Sequence, residues 1–217
     1  MLSLGVDLAG SSKRPTGMCL LDENLNAKTW IVYSDEEIIR AATELHPSVV
    51  AIDAPLSLPL GRSSLDDRTG PHFRECDMAL RRLGIKFFPI TLGPMRALTA
   101  RGMQIKTDLE KRGYTVIEVY PGGAQDVLRI PRKSAGLEAL QSGLEKLGIK
   151  LANSSAGPDE LDAVTAAYVG LLYLSGEAIA LGGKDGSIIM PKPPPEFLKE
   201  RQERCRASKV RRRARPR

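Results

Sequence analysis

The chain has 217 residues, 42% hydrophobic and 27% charged, enough for one well-buried domain and unlike a disordered or low-complexity polymer. No apolar run approaches the roughly 20 residues that span a bilayer, and the opening MLSLGVDLAGSSKR lacks a charged region ahead of an apolar one, so neither a membrane protein nor a secreted one is expected. Cys19, Cys76 and Cys205 are odd in number and show no paired spacing, which suits a reducing cytoplasm.

The net charge of +6 is unevenly spread. Residues 199–217 hold ten Lys or Arg against two Glu, a charge of +8 that leaves −2 for residues 1–198. The basic character belongs to a tail, and the body is neutral to acidic.

In chain order, LSLGVDL, TGMCLLD and AKTWIVY are three apolar runs close enough to pair as an antiparallel meander. Ser34 and Glu37 have capping-box spacing and open the helix EEIIRAATEL, which Pro47 stops. SVVAID reads as a buried strand ending at Asp53. LSLPLGRSSLDDRTGP is rich in turn formers and reads as an extended loop. Two helical stretches follow, FRECDMALRRLG and PMRALTARGMQIKTDLEKRG, on either side of KFFPITLG. YTVIEVY is the next strand. Helical segments follow at AQDVL and SAGLEALQSGLEKLG, then at DELDAVTAAYVGLLYLSG behind Pro158. SIIM is a candidate for a short final strand, and PKPPPE is a stiff linker into the tail.

Three strands, a helix and a further strand predict an α/β chain of ribonuclease H-like fold. The expected sheet is mixed and five-stranded, three antiparallel strands and then parallel ones, flanked by helices. Residues 1–192 form that domain, with a helical insertion at about 54–113 after the fourth strand. Residues 193–217 are a Pro-rich linker and a basic tail, expected to be disordered.

Carboxylates carry the chemical signal. Asp7 closes the first strand, where a rigid metal ligand or a turn-forming Asp would both sit. Asp53 ends a largely apolar run, where an acid is costly to bury unless paired or bound to metal. Asp159 and Asp162 are spaced i, i+3 on one helix face. Asp159 also suits the helix dipole, whereas Asp162 lies too far in for that role. Glu118 reads either as a further acid of this set or, by strand alternation, as a residue on a solvated face. With only His46 and His72 and no Cys pair, zinc is poorly supplied, and oxygen ligands point to one or two Mg²⁺ or Mn²⁺ ions. Two such ions would activate water for an in-line displacement with no protein nucleophile. Lys13 and Arg14, in the loop after Asp7, are candidates for a phosphate contact or an ordinary exposed loop. Arg211, Arg212, Arg213 and Arg215 in the tail would follow a nucleic-acid backbone or simply solubilise the terminus.

GVDLAGSSKRPTG, AIDAPLSLP, RECD, IEVYPGG and PDELDAVTAAY together resemble domain-of-unknown-function family 429, whose members are expected nucleases of the ribonuclease H-like superfamily. The matches run from residue 5 to about residue 190. The superfamily includes Holliday-junction resolvases, in which acids on the first and fourth strands and a pair opening a late helix hold the metals. That implies Asp7, Asp53, Asp159 and Asp162 here. The resemblance also marks Arg74 and Asp77, in RECD, as site candidates. Read alone they fall on the exposed face of an ordinary helix. The insertion at 54–113 is an addition to the minimal fold and would narrow access to the site.

A cytoplasmic, metal-dependent nuclease acting on nucleic acid, as a monomer or a homodimer, is the expectation that follows. Two others stand beside it. GVDLAG is also similar to the first phosphate loop of actin-like ATPases and sugar kinases, which implies a nucleotide-binding phosphotransferase. The basic tail alone would make a non-catalytic nucleic-acid-binding protein.

Overall fold

The computed structural model describes residues 1–153, 155–201 and 203. Strands β1 (Leu2–Asp7), β2 (Thr16–Asp22) and β3 (Asn26–Val32) form the expected antiparallel meander. Its second turn is set by Asp22, whose carboxylate accepts from the backbone N–H groups of Asn24 and Asn26, each at 2.9 Å. Helix α1 (Asp35–Leu45) begins with the capping box read from the sequence. Ser34 Oγ accepts from the Glu37 N–H, and Glu37 Oε2 accepts from the Ser34 N–H at 2.9 Å.

Strand β4 (Val49–Asp53) then pairs in parallel with β1, with Val49 to Ile52 fully buried. The long segment after β4 has no regular structure until helices α2 (Glu75–Arg82) and α3 (Gly93–Glu110). Its loop is gathered around Arg62, 6% exposed, whose guanidinium donates to the carbonyls of Ser64, Asp67, Gly70 and Pro71 at 2.7–3.2 Å. Helix α3 is tied to the sheet by Arg101, which donates to Asp35 (2.6 Å) and to the carbonyls of Ala9 (2.8 Å) and Tyr33 (2.7 Å).

Strand β5 (Val116–Val119) is followed by α4 (Pro121–Leu128), a single 3-10 turn (Lys133–Ala135), α5 (Leu137–Lys146) and the two-residue strand β6 (Lys150–Leu151). Helix α6 (Pro158–Leu174) and the hairpin β7 (Ala178–Gly183) and β8 (Gly186–Pro191) complete the elements. None of the described helices is long and apolar enough to cross a membrane.

The sheet has eight strands rather than the expected five, in the order β6-β3-β2-β1-β4-β5-β8-β7. SIIM lies in β8, which adds in parallel to β5, and β7 is its edge partner. The extra strands left little trace in the sequence. Strand β6 is too short to show a period, and AIALGG is a half-exposed edge run that ends in two glycines. The expected stiff linker is also shorter than read. Residues 195–201 are helical, and Phe197, 4% exposed, packs with Leu80, Ile85, Val127 and Met190.

Helix α6 is buried on almost every side from Glu160 to Leu171, the signature of a core helix rather than an amphipathic one. It lies against β1 and β2 through two glycines. A Cβ on Gly5 would fall 2.1 Å from the Ala163 carbonyl oxygen, and one on Gly17 would fall 2.0 Å from that of Asp159. Only glycine lets helix and strand backbones approach so closely. That contact brings the N-terminal turns of α6 beside the end of β1.

Candidate active site

Asp7 and Asp53 are the last residues of two adjacent parallel strands and are direct partners in the β1–β4 register. Both stand at the carboxyl edge of the sheet, where α/β folds place their ligands. Asp162, 5% exposed, reaches this edge from the second turn of α6. Asp159, half-buried in the first turn, adds its charge to the same neighbourhood.

The crowding shows in the acidities. Burial, and after it the Asp162 carboxylate, push Asp7 from an ordinary 3.8 up to about 7, with Lys133 opposing and Asp159 reinforcing. Asp53 is pushed well above the carboxylate range by burial first and then by Asp7 and Asp162. Asp7 and Asp53 therefore lack enough positive charge around them. One cation is already there. Lys133 Nζ, delivered by the 3-10 turn, lies 2.7 Å from Asp162 Oδ2 and 4.0 Å from Asp7 Oδ2. Partial burial works against its charge, but the hydrogen bond it donates to Asp162 and the charges of Asp162, Asp7 and Asp159 outweigh it and raise the Lys133 pKa. The other Asp162 oxygen accepts from Gln125 Nε2 at 2.8 Å, and that amide also reaches Thr165 Oγ1 at 3.1 Å.

An oxygen-seeking divalent ion fits this donor set in charge and chemistry. Among the described residues, however, no three His, Cys, Asp or Glu side chains are disposed to hold a metal ion as they stand. The ammonium of Lys133 lies between two of the three acids instead.

Of the two readings of Glu118, the solvated face is removed. Glu118 is 6% exposed, not solvated, because β5 is an inner strand covered on both faces and alternation does not lead to water. Its carboxylate is gripped by Arg74, with Nη1 to Oε2 and Nη2 to Oε1 both at 2.7 Å, and it also accepts from the Leu56 N–H at 2.8 Å. Burial nonetheless leaves Glu118 raised. Arg74 and Asp77 are likewise not on an exposed helix face, being 2% and 3% exposed. Arg74 Nη2 donates to Asp77 Oδ1 at 2.9 Å, and Asp77 Oδ2 accepts from the Arg74 backbone N–H at 2.9 Å, closing the start of α2. RECD is thus a buried charge cluster that ties α2 to β5.

Lys13 and Arg14 stand exposed on the β1–β2 loop. Arg211, Arg212, Arg213 and Arg215 lie outside the described residues. The sequence reading missed Lys133 and Gln125. Lys133 sits in IPRKSAG, which resembles any polar loop, and Gln125 follows the PGG turn on a short helix. A polar residue there among Ala124, Val127 and Leu128 was the one available hint.

A cavity of about 460 Å³ opens beside Asp53, Asp162 and Lys133 and is roofed by the insertion through Leu80, Phe87, Phe88, Met95 and Leu98. A second hollow of about 710 Å³ shares Phe87, Phe88, Tyr120 and Arg132 with it.

A family model described as "Protein of unknown function (DUF429)" matches residues 5–187. No curated protein matches the chain. Among solved structures the chain is similar to Thermus thermophilus RuvC in complex with Holliday junction substrate, with a TM-score of 0.50 and 12% identity over 86% of this chain and 99% of that one. Another structure of Thermus thermophilus RuvC gives a TM-score of 0.46 and 12% identity, covering 81% and 97%. At such identity the first likeness shows the fold alone, and that fold is ribonuclease H-like.

Proposed function

The chain belongs to the DUF429 family of proteins of unknown function, and we propose that this member is a nuclease that hydrolyses phosphodiester bonds with one or two Mg²⁺ or Mn²⁺ ions. The observation that carries the reading is the meeting of Asp7, Asp53 and Asp162 at one sheet edge, where burial and mutual repulsion raise two of them. Those three would hold the ion, with Asp159 at the rim. Bound there, a divalent ion supplies an activated water and stabilises the leaving oxygen.

The chain's own residues do the rest. The strand ends fix Asp7 and Asp53, and Gln125 fixes the Asp162 carboxyl plane through its amide. Lys133 neutralises Asp162 in the absence of a metal and is placed to meet a substrate phosphate. It also competes with a divalent ion for the same carboxylate. The basic tail would add sequence-independent affinity for a phosphate backbone. The neighbour of known structure was solved with a Holliday junction, so branched DNA belongs among the substrates to try.

Incubation with single-stranded, duplex and four-way-junction DNA and with RNA tests the reading. Cleavage should require Mg²⁺ or Mn²⁺ and vanish in folded Asp7→Asn and Asp53→Asn proteins. Cleavage that survives both changes would overturn it.

A further inference from the structure

We infer that the cavity between the carboxylates and the insertion seats one unstacked nucleobase of the substrate strand, an assignment that rests on the nuclease reading. At about 460 Å³ it has the volume of a small-molecule site and admits one nucleotide rather than a duplex. Its two ends differ in chemistry. One end carries Asp53, Asp162 and Lys133, where a phosphate would be processed. The other is walled by Leu80, Phe87, Met95 and Leu98 and closed by Ile188, with Arg74, Asp77 and Glu118 also in the lining but paired with one another.

Polar groups share the lining, and of these Gln125 is buried with its amide on Asp162. Ser134 and Gln125 line the cavity, and Arg132 lies with its guanidinium carbon 5.9 Å from the Tyr120 ring centroid. Arg132 is held there by Asp126, through two bonds of 2.8 Å. A flat apolar body with a polar edge, joined covalently to an anion, matches that set of surfaces, and a nucleotide combines those parts.

The aromatic residues extend the assignment to a strand. Phe88 is 69% exposed at the lip and lines both hollows. Phe87 is braced edge-to-face by Phe73, ring centroids 6.0 Å apart, and Phe73 lines only the outer hollow. Lys86 and Arg81 lie in that outer hollow too. Aromatic faces beside cations are how proteins hold single strands without reading their sequence. The insertion therefore supplies a stacking wall, and a base must leave its duplex or junction stack to enter the cavity as its phosphate reaches the carboxylates.

The test uses the full chain in EDTA, with a single-stranded oligonucleotide carrying 2-aminopurine and a fully abasic strand of equal length. Wild type should change the 2-aminopurine emission and bind the intact strand ~5- to 150-fold more tightly than the abasic one. Phe88→Ala should remove that preference, while Phe88→Trp should keep it and the abasic affinity should stay unchanged in both. Because Phe88 is largely exposed, neither change threatens the fold. Equal affinity for intact and abasic strands, or a preference that survives Phe88→Ala, would overturn the assignment. So would free 2-aminopurine nucleotide giving the full response without a strand. Base-dependent binding without any cleavage would retain the pocket and remove the nuclease reading, whereas cleavage without base dependence would do the reverse.

Discussion

Replacing Asp7 by Asn should stabilise the metal-free protein at pH 8 and do almost nothing near pH 4. Folding raises Asp7 from 3.8 to about 7, so between those values the native state keeps a proton that the unfolded chain has lost. Stability then falls as pH rises across this window, and the loss is complete above about 7. At 1.36 kcal/mol per pH unit the full effect is about 4 kcal/mol, and water reaching a side chain that is 15% exposed reduces it to ~2–4 kcal/mol. Asn cannot ionise, so the variant is spared that loss. For a chain of this length the gain is a Tm increase of ~4–16 °C at pH 8. Thermal or urea unfolding in EDTA at pH 4, 6 and 8 measures it. Mn²⁺ should then raise the Tm of wild type and leave the variant where it is. A variant no more stable than wild type at pH 8, or equally stabilised at all three pH values, would refute the electrostatic account of this edge.

Three further outcomes follow from the same geometry. Lys133→Met should tighten Mn²⁺ binding by about 5-fold in calorimetry, because a half-exposed ion pair worth ~1 kcal/mol no longer competes for Asp162; weaker binding would place Lys133 on the side of the metal. Arg74→Met should cost ~3–5 kcal/mol in urea unfolding, since it leaves Glu118 and Asp77 buried without their cation. Gly17→Ala should lower stability by more than ~3 kcal/mol and abolish Mn²⁺ binding, as the new methyl would strike the Asp159 carbonyl and push the start of α6 away from β1; a folded, Mn²⁺-binding Gly17→Ala protein would contradict the packing described.

The parts of this molecule that the sequence disclosed were those governed by local rules. The Ser34–Glu37 cap and the apolar runs ending at Asp7 and Asp53 are set by neighbours a few residues away. The i, i+3 pair at the start of α6 is local in the same sense. Glu118 was ambiguous because alternation describes a strand with one wet face, and β5 has none. Arg74 and Asp77 pointed outward on a helical wheel, yet the surface they point toward is β5, brought there by a fold-level contact 44 residues away in sequence. Lys133 shows the same limit. Nothing near IPRKSAG marks its Lys as the counter-ion of an acid on α6, because the partners meet only after the sheet is assembled. The roles of Gly5 and Gly17 were equally silent, since a glycine needed for close approach looks like one needed for a turn.

The bridge from Arg74 to Glu118 and Asp77 also sets how the roof over the cavity can behave. Moving the start of α2 away from the sheet would part the buried Glu118 from Arg74, at a cost of about 3–5 kcal/mol. An opening that costly is populated about once in a hundred to once in several thousand molecules. The start of α2 is therefore a fixed edge of the roof and not its hinge. On the nuclease reading, entry past that edge is a matter of fit, and turnover should then track how readily a substrate can present a strand narrow enough to slide in, making the looseness of the nucleic acid the slow variable.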